Sequence, residues 1–295
     1  MIANVVQTLV DAISVGSLYA LIALGIGLIF GVVRLINVAH GELIMVTGYT
    51  LVLLSSQPVA VAIIGALAVA VIVALLMERI AFRPLRGSDP PTLLVASFAL
   101  SYFIEKLVTL FVGARPKSLD LLPWLATQET ILGIRLQLLR LVTILVAGIL
   151  LVGLSWFLKR TRSGRQMRAA AENFRMARLV GIRANRVIGL AFAISGVLAG
   201  AVAILFVSQS GFVTPRMGTQ LVLIAFVGTV IGGLGSLAGA ALGGFLVGAI
   251  NVLCQVLLPP DLREFREAIV YAIVILILLL RPQGLLPAVG MKERI

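Results

Sequence analysis

KRTRSGRQMRAAAENFRMARLVGIRANR, residues 159–186, decides how the rest of the chain is read. It holds nine bases, Lys159, Arg160, Arg162, Arg165, Arg168, Arg175, Arg178, Arg183 and Arg186, against one acid, Glu172. That is a net +8 within a whole-chain +12. The flanking runs, 138–158 and 187–207, are apolar and carry one charge, Arg140, at one end. About 20 apolar residues span the roughly 30 Å hydrocarbon core of a bilayer. A basic loop between two such spans stays on the cytoplasmic side. The charge therefore sets topology first, and it marks the face that a cytoplasmic partner would see.

Composition agrees. Of 295 residues 60% are hydrophobic and 12% charged, with a mean hydropathy of +1.13. Soluble domains carry roughly 25% charged residues. The bases gather at membrane borders, so the basic balance is not read as nucleic-acid binding. Cys254, the single cysteine, lies in an apolar run, which excludes an intrachain disulfide and a cysteine-based metal site. No base precedes Arg34, so a cleaved signal peptide is not expected and the first apolar run is read as a permanent span.

Apolar runs cover 5–33, 36–54, 59–77, 93–112, 138–158, 187–207, 221–231, 237–258 and 268–280. In lipid the backbone must satisfy its own hydrogen bonds, so these are helices. The predicted fold is an all-α polytopic membrane protein of eight or nine transmembrane helices, forming one transmembrane domain over 1–295. Arg34, the cluster Arg79, Arg83 and Arg86, the large basic loop, and Arg281, Lys292 and Arg294 all fall on one side if the N-terminus is outside and the C-terminus inside.

Two regions interrupt the apolar pattern. One is Asn37-Val38-Ala39-His40-Gly41-Glu42. The other is Gly228 to Gly248, where glycines recur four apart around Gly232-Gly233-Leu234-Gly235-Ser236. Four-apart glycines ordinarily mean close helix packing. Three glycines in four residues are a poor helix interior and read as a break. Residues 12–31 and 190–209 share a small-residue texture and run in opposite senses, so an inverted repeat with paired breaks is expected. His40 and Glu42 are two apart and do not share a helix face, which disfavours a metal site or acid–base pair. They face either a pathway or the headgroup boundary. Glu105 and Lys106 lie inside a span and are expected to pair within the bundle, with substrate contact as the alternative. No enzyme constellation is present, and no lysine follows a glycine as a phosphate-binding loop requires.

At these residues the chain resembles a known family. Leu35-Ile36-Asn37-Val38-Ala39-His40-Gly41-Glu42 with Gly48-Tyr49 is similar to a signature of the branched-chain amino-acid ABC importer permeases. Ile231-Gly232-Gly233-Leu234-Gly235-Ser236 with Gly239 is similar to their second-half signature, and Arg281-Pro282-Gln283-Gly284-Leu285 to their C-terminal ending. Residues 168–182 resemble the cytoplasmic loop that docks on the ATPase. The resemblance covers nearly the whole chain and points to the shorter of two permease subunits. Glu105-Lys106 and Ala238 depart from the family pattern.

The resemblance implies a bacterial inner-membrane importer with a second homologous permease, two ATP-binding subunits and a periplasmic substrate-binding protein, and no cofactor. The paired breaks, whose backbone groups a zwitterionic substrate could use, place the expected substrate pathway at Asn37, Ala39, His40, Gly41, Glu42, Gly232, Gly233, Gly235 and Ser236, the two segments approaching one another across a cavity. The resemblance also implies one ATPase-coupling helix over 168–182 using Arg168, Glu172, Phe174, Arg175 and Arg178, ended by Gly181. The cargo is expected to be a branched-chain or related small amino acid. Importers of urea, short amides or aromatic acids, a stand-alone secondary carrier and a neutral-solute channel are the alternatives.

Overall fold

The computed structural model describes residues 2–125, 128–131 and 134–286, with side chains except at 2–4, 128–131, 134–136, 174 and 175. Lys292 and Arg294 therefore lie outside the described residues. Every apolar run coincides with a helix. In order these are α1 (Ile2–Val33), α2 (His40–Leu53), α3 (Val59–Leu76) with a π-helical turn Met77–Phe82, and α4 (Pro90–Val112). Next come α5 (Leu138–Arg160), α6 (Arg162–Glu172), α7 (Phe174–Leu179) and α8 (Ala184–Ser210). The last are α9 (Met217–Gly232), α10 (Leu237–Leu257) and α11 (Arg266–Leu280).

Among the described residues, six helices are long and apolar enough to cross a membrane: α1, α3 with its π turn, α4, α5, α8 and α10. α2, α9 and α11 have 14, 16 and 15 residues. At 1.5 Å per residue each is roughly 21–24 Å long, less than a full hydrocarbon core. The bundle is therefore built from full spans and three short helices. Two small β ladders, Lys117–Ser118 with Phe212–Val213 and Gln128–Ile131 with Ile134–Gln137, join loops outside the helices.

α1 and α8 are the most buried of the long helices and pack on each other. α10 lies along α1, where Gly248 approaches the backbone at Val15 and Gly16, and Gly244 packs on Tyr19, Ala20 and Ala23. Gly228 approaches Gly243 and Gly244, so α9 and α10 also meet backbone to backbone. Lipid supplies no hydrophobic drive between helices, and small residues permit the close van der Waals contact that replaces it. The four-apart glycines thus serve contacts between helices of this chain. α4 is the opposite case. Its buried residues are Ser97 and Ser101, one turn apart, while Phe98, Tyr102, Phe103, Leu110 and Phe111 are exposed.

Hydroxyls inside the bundle bond back to the carbonyl one turn earlier, as Thr47 to Leu43, Thr143 to Leu139 and Thr229 to Ala225 do. Lys106 donates to Glu105 at 3.0 Å and lies 4.9 Å from the Tyr102 ring centre, so this charge is paired within α4.

Candidate translocation and coupling sites

The chain leaves α1 at Arg34 and runs back along the bundle without helix until His40. Asn37, Ala39, His40 and Glu42 are fully buried. His40 sits between the two central helices. Its Nδ1 lies 2.9 Å from Ser195 Oγ on α8, and a Cβ on Gly25 of α1 would fall on its ring. Gly25 is eight residues, about 12 Å, before the end of α1. His40 and Glu42 lie in the interior of the bundle and do not snorkel from its surface. Glu42 accepts hydrogen bonds from Ser101 Oγ of α4 at 2.8 Å and Thr219 Oγ1 of α9 at 3.1 Å.

Glu42 Oε2, His40 Nε2 and both side-chain polar atoms of Asn37 are buried without a hydrogen-bond partner. A buried group left unpaired costs about 1–3 kcal/mol, more when charged. Such groups are rare in native proteins and gather where something other than stability is served. The segment is held by close backbone contact: Gly41 meets the Gly218 carbonyl, and Gly218 meets the Gly41 carbonyl. The short helices that follow the two central helices, α2 after α1 and α9 after α8, therefore begin against each other.

The glycine break lies elsewhere. Gly218 touches Gly41, and Gly232 is fourteen residues further along α9, about 21 Å of helix. The structure does not bring Gly232, Gly233, Gly235 and Ser236 beside Asn37–Glu42 across a cavity. Gly232 packs on Gly239 of α10, Gly233 and Gly235 take φ of 109° and 90°, and Ser236 caps α10 by accepting from Gly239 N–H at 3.1 Å. The last carbonyls of a helix have no partner within it. Here Leu285 N–H donates to Ile231 O at 2.8 Å and Leu286 N–H to Gly232 O at 3.0 Å. Gly284, at φ 81°, rests on Gly233. Two motifs that are about 50 residues apart in sequence, the glycine break and the C-terminal ending, are one structural unit.

The basic loop folds as two helices where one is expected over 168–182. Asn173, at φ −150°, ends α6 and caps α7 by accepting from Met176 N–H at 3.0 Å, the role for which asparagine is suited. Gly181 follows α7 at φ 83°. Thr161 caps α6 by accepting from Gly164 N–H. Gly164, Met167 and Ala170 form the buried face, and Gly164 lies against Phe157 and Leu158. Arg168, Glu172 and Arg178 are exposed; Arg175 is in α7, and the side chains of Phe174 and Arg175 lie outside the described ones. Sequence reading missed Met176, Leu179 and Val180, which are 58%, 77% and 78% exposed. Their apolar character was hidden by the density of arginine around them.

Comparison with known proteins places this geometry. Residues 8–278 match the family model described as "Branched-chain amino acid transport system / permease component". The chain is 33% identical to the high-affinity branched-chain amino acid transport system permease protein BraD of Pseudomonas aeruginosa, over 95% of each chain. It is 31% identical to LivH, of the same description, from Escherichia coli, over 95% of this chain and 94% of that one. A 132-residue stretch, 42% of this chain and 38% of the relative, is 39% identical to the autoinducer 2 import system permease protein LsrC of an Enterobacter species. Among solved structures, PsaBC from Streptococcus pneumoniae in complex with Fab shares the fold at a TM-score of 0.52 and 13% identity, over 96% of this chain and 97% of that one.

Proposed function

Because the chain belongs to the branched-chain amino-acid transport system permease family, we propose that it is the membrane-spanning subunit of an ATP-driven importer that moves branched-chain amino acids into the cell. The observation that carries this reading is similarity over nearly the full length of both chains to permeases named for those substrates. The proposed assembly has a second homologous permease, two ATP-binding subunits that hydrolyse ATP, and a periplasmic binding protein. The setting is the bacterial inner membrane, with the N-terminus periplasmic, the C-terminus cytoplasmic and nine crossings if the three short helices each count as one.

The pathway is proposed to pass Asn37–Glu42, where α2 and α9 begin. Buried polar groups without partners support this, since they are costly in a purely structural segment. α1–α2 and α8–α9 are read as the two arms of an inverted repeat, since α2 packs on α8, α9 packs on α1, and α2 and α9 meet at Gly41 and Gly218. α6 and α7 are proposed to dock on the ATPase. Large exposed apolar side chains next to arginines and Glu172, outside the spans, suit a protein interface with an apolar centre and a polar rim.

The test is reconstitution of the permease pair, its ATPases and the binding protein in liposomes, with uptake of leucine, valine, urea and benzoate measured with and without ATP. Uptake of leucine and valine that needs both ATP and the binding protein is the expected result. Uptake of none of the four, or leucine uptake without ATP, overturns the reading.

A further inference from the structure

The coupling helices end at Leu179 and α8 begins at Ala184, so Asn185 is among the first residues of a membrane helix that a movement of α7 reaches. Its Oδ1 accepts a hydrogen bond from Arg86 Nη1. The other terminal nitrogen of Arg86 pairs with the Glu78 carboxylate. Glu78 lies in the π turn Met77–Phe82 that closes α3, and its side chain is 9% exposed. Arg83 N–H donates to Glu78 O at 2.7 Å, so the π spacing runs on into the loop. π turns are rare and gather at functional sites. A guanidinium presents its donors in a rigid fork, so its two partners are held at a fixed separation. A second contact lies alongside. Phe82 packs on Phe192 with ring centres 5.6 Å apart, and Phe192 is two turns beyond Asn185 on the same face of α8. The start of α8 is therefore joined to the π turn at one polar and one apolar point. Arg86 also stands just before Pro90, where α4 starts, and the buried residues of α4, Ser97 and Ser101, meet Val38 and Glu42 of the proposed pathway. A cavity of about 610 Å3 between the α6–α7 corner and the starts of α4 and α8 leaves the corner room to shift.

We propose that Arg86 is a positioning residue for the transport cycle: its bonds to Asn185 and Glu78 carry movement of the coupling helices from the start of α8 to α3 and α4, and so keep ATP hydrolysis tied to transport. The inference rests on the reading that α6 and α7 dock on the ATPase. Arg86 touches no substrate and acts by holding two membrane helices to one movement. The Phe82–Phe192 contact alone does not do this. Apolar contact is non-directional, and packed helices slide past one another by small shear steps. A charge-assisted, forked link resists that sliding.

Asn185 is exposed, so Asn185→Ala removes the α8 end of the link and leaves the Glu78–Arg86 pair in place. The test uses the complete importer in liposomes, with the ATPases facing the bath and the binding protein and leucine in the lumen. The readout is leucine carried per ATP hydrolysed. A variant that merely loses folded protein loses uptake and hydrolysis in proportion and leaves this ratio unchanged. Asn185→Ala is expected to melt with the wild type, to keep the ATPase on co-purification and to carry less leucine per ATP by about fivefold or more, as for a coupling between separate sites. Asn185→Asp, which keeps an acceptor for Arg86, is expected to retain the wild-type ratio. An unchanged ratio in Asn185→Ala overturns the proposal. So does loss of the ATPase, which would place Asn185 at the docking surface instead. If the wild type carries no leucine, the transport reading fails, and hydrogen exchange in the detergent-solubilised complex with the ATPases then judges the link by itself. ATP is expected to change exchange at residues 77–89 in the wild type and not in Asn185→Ala. An equal change in both overturns it.

Discussion

Gly41 at the start of α2 and Gly218 at the start of α9 meet backbone to backbone, so that a Cβ on either would run into the carbonyl of the other. No flexible side chain is present to give way. Gly41→Ala and Gly218→Ala are each expected to destabilise the bundle by ~1–3 kcal/mol, the range for overpacked interiors. Gly148→Ala is the control: a Cβ there meets nothing within 4 Å. It is expected to be neutral or to stabilise α5 by about 0.5–1 kcal/mol. Thermal stability of the three variants in one detergent checks the contrast.

His40 and Gly25 form a second size-matched pair. A Cβ on Gly25 would displace the imidazole, while His40→Ala leaves space and deprives Ser195 Oγ of its neighbour. Each single variant is expected to lower stability. Gly25→Ala combined with His40→Ala should cost less than the sum, with a coupling of about 0.5–3 kcal/mol, as residues in direct contact show. Strict additivity in a melting series would mean that the ring does not pack on Gly25.

Glu42 joins α4 and α9 through one oxygen and leaves the other unpaired. Glu42→Ala removes the acceptor from two buried hydroxyls and is expected to cost ~1–3 kcal/mol. Glu42→Gln keeps an acceptor and should preserve most of that stability. Under the proposed pathway it nevertheless lowers leucine uptake, because an ionisable carboxyl is lost from the segment. Equal stability and equal uptake in wild type and Glu42→Gln would limit this residue to helix bridging.

The helices and their order could be read from the sequence because lipid leaves the backbone no other choice, so runs of apolar residues suffice. The second helix break was legible for a related reason: Gly233 and Gly235 adopt φ values that glycine alone takes comfortably. What each break touches was not legible. Nothing local in Gly232–Ser236 says that its carbonyls are capped by Leu285 and Leu286. Nor does anything in Ser97 and Ser101 announce that the inward face of an otherwise lipid-exposed helix meets Val38 and Glu42. These are long-range choices of packing. The division of the basic loop was within reach, since Asn173 is a good cap, but three preceding alanines favoured a continuous helix.

Met176, Leu179 and Val180 are well exposed on a segment outside the spans. Replacing all three by serine should change the stability of the isolated chain little, since exposed substitutions usually fall within about ±0.5 kcal/mol. The same variant is expected to lose the ATPase on co-purification and to stop uptake. Glu172→Ala combined with Phe174→Ala is expected to act in the same direction. Retention of the ATPase by both variants would leave α6 and α7 without the proposed docking role.

The C-terminal ending gives the clearest separation of fold from transport. Leu285 and Leu286 supply backbone N–H groups to Ile231 and Gly232, and Gly284 can lie on Gly233 because it has no side chain. A chain ending at Arg281 would leave two carbonyls of α9 uncapped where α9, α10 and α1 converge. Each lost bond costs roughly 0.5–1.5 kcal/mol, and more if the carbonyl stays buried. Gly284→Val should act similarly, because its φ of 81° is unsuited to a β-branched residue and its Cβ would strike Gly233. Pro282→Ala is the mild comparison, since no hydrogen bond to this residue is needed for the cap. Hydrogen exchange at residues 231–240 should rise in the truncated and Gly284→Val chains and stay low in Pro282→Ala. Protection that is unchanged on truncation would show that the ending does not close the break, and the C-terminal motif would need another explanation.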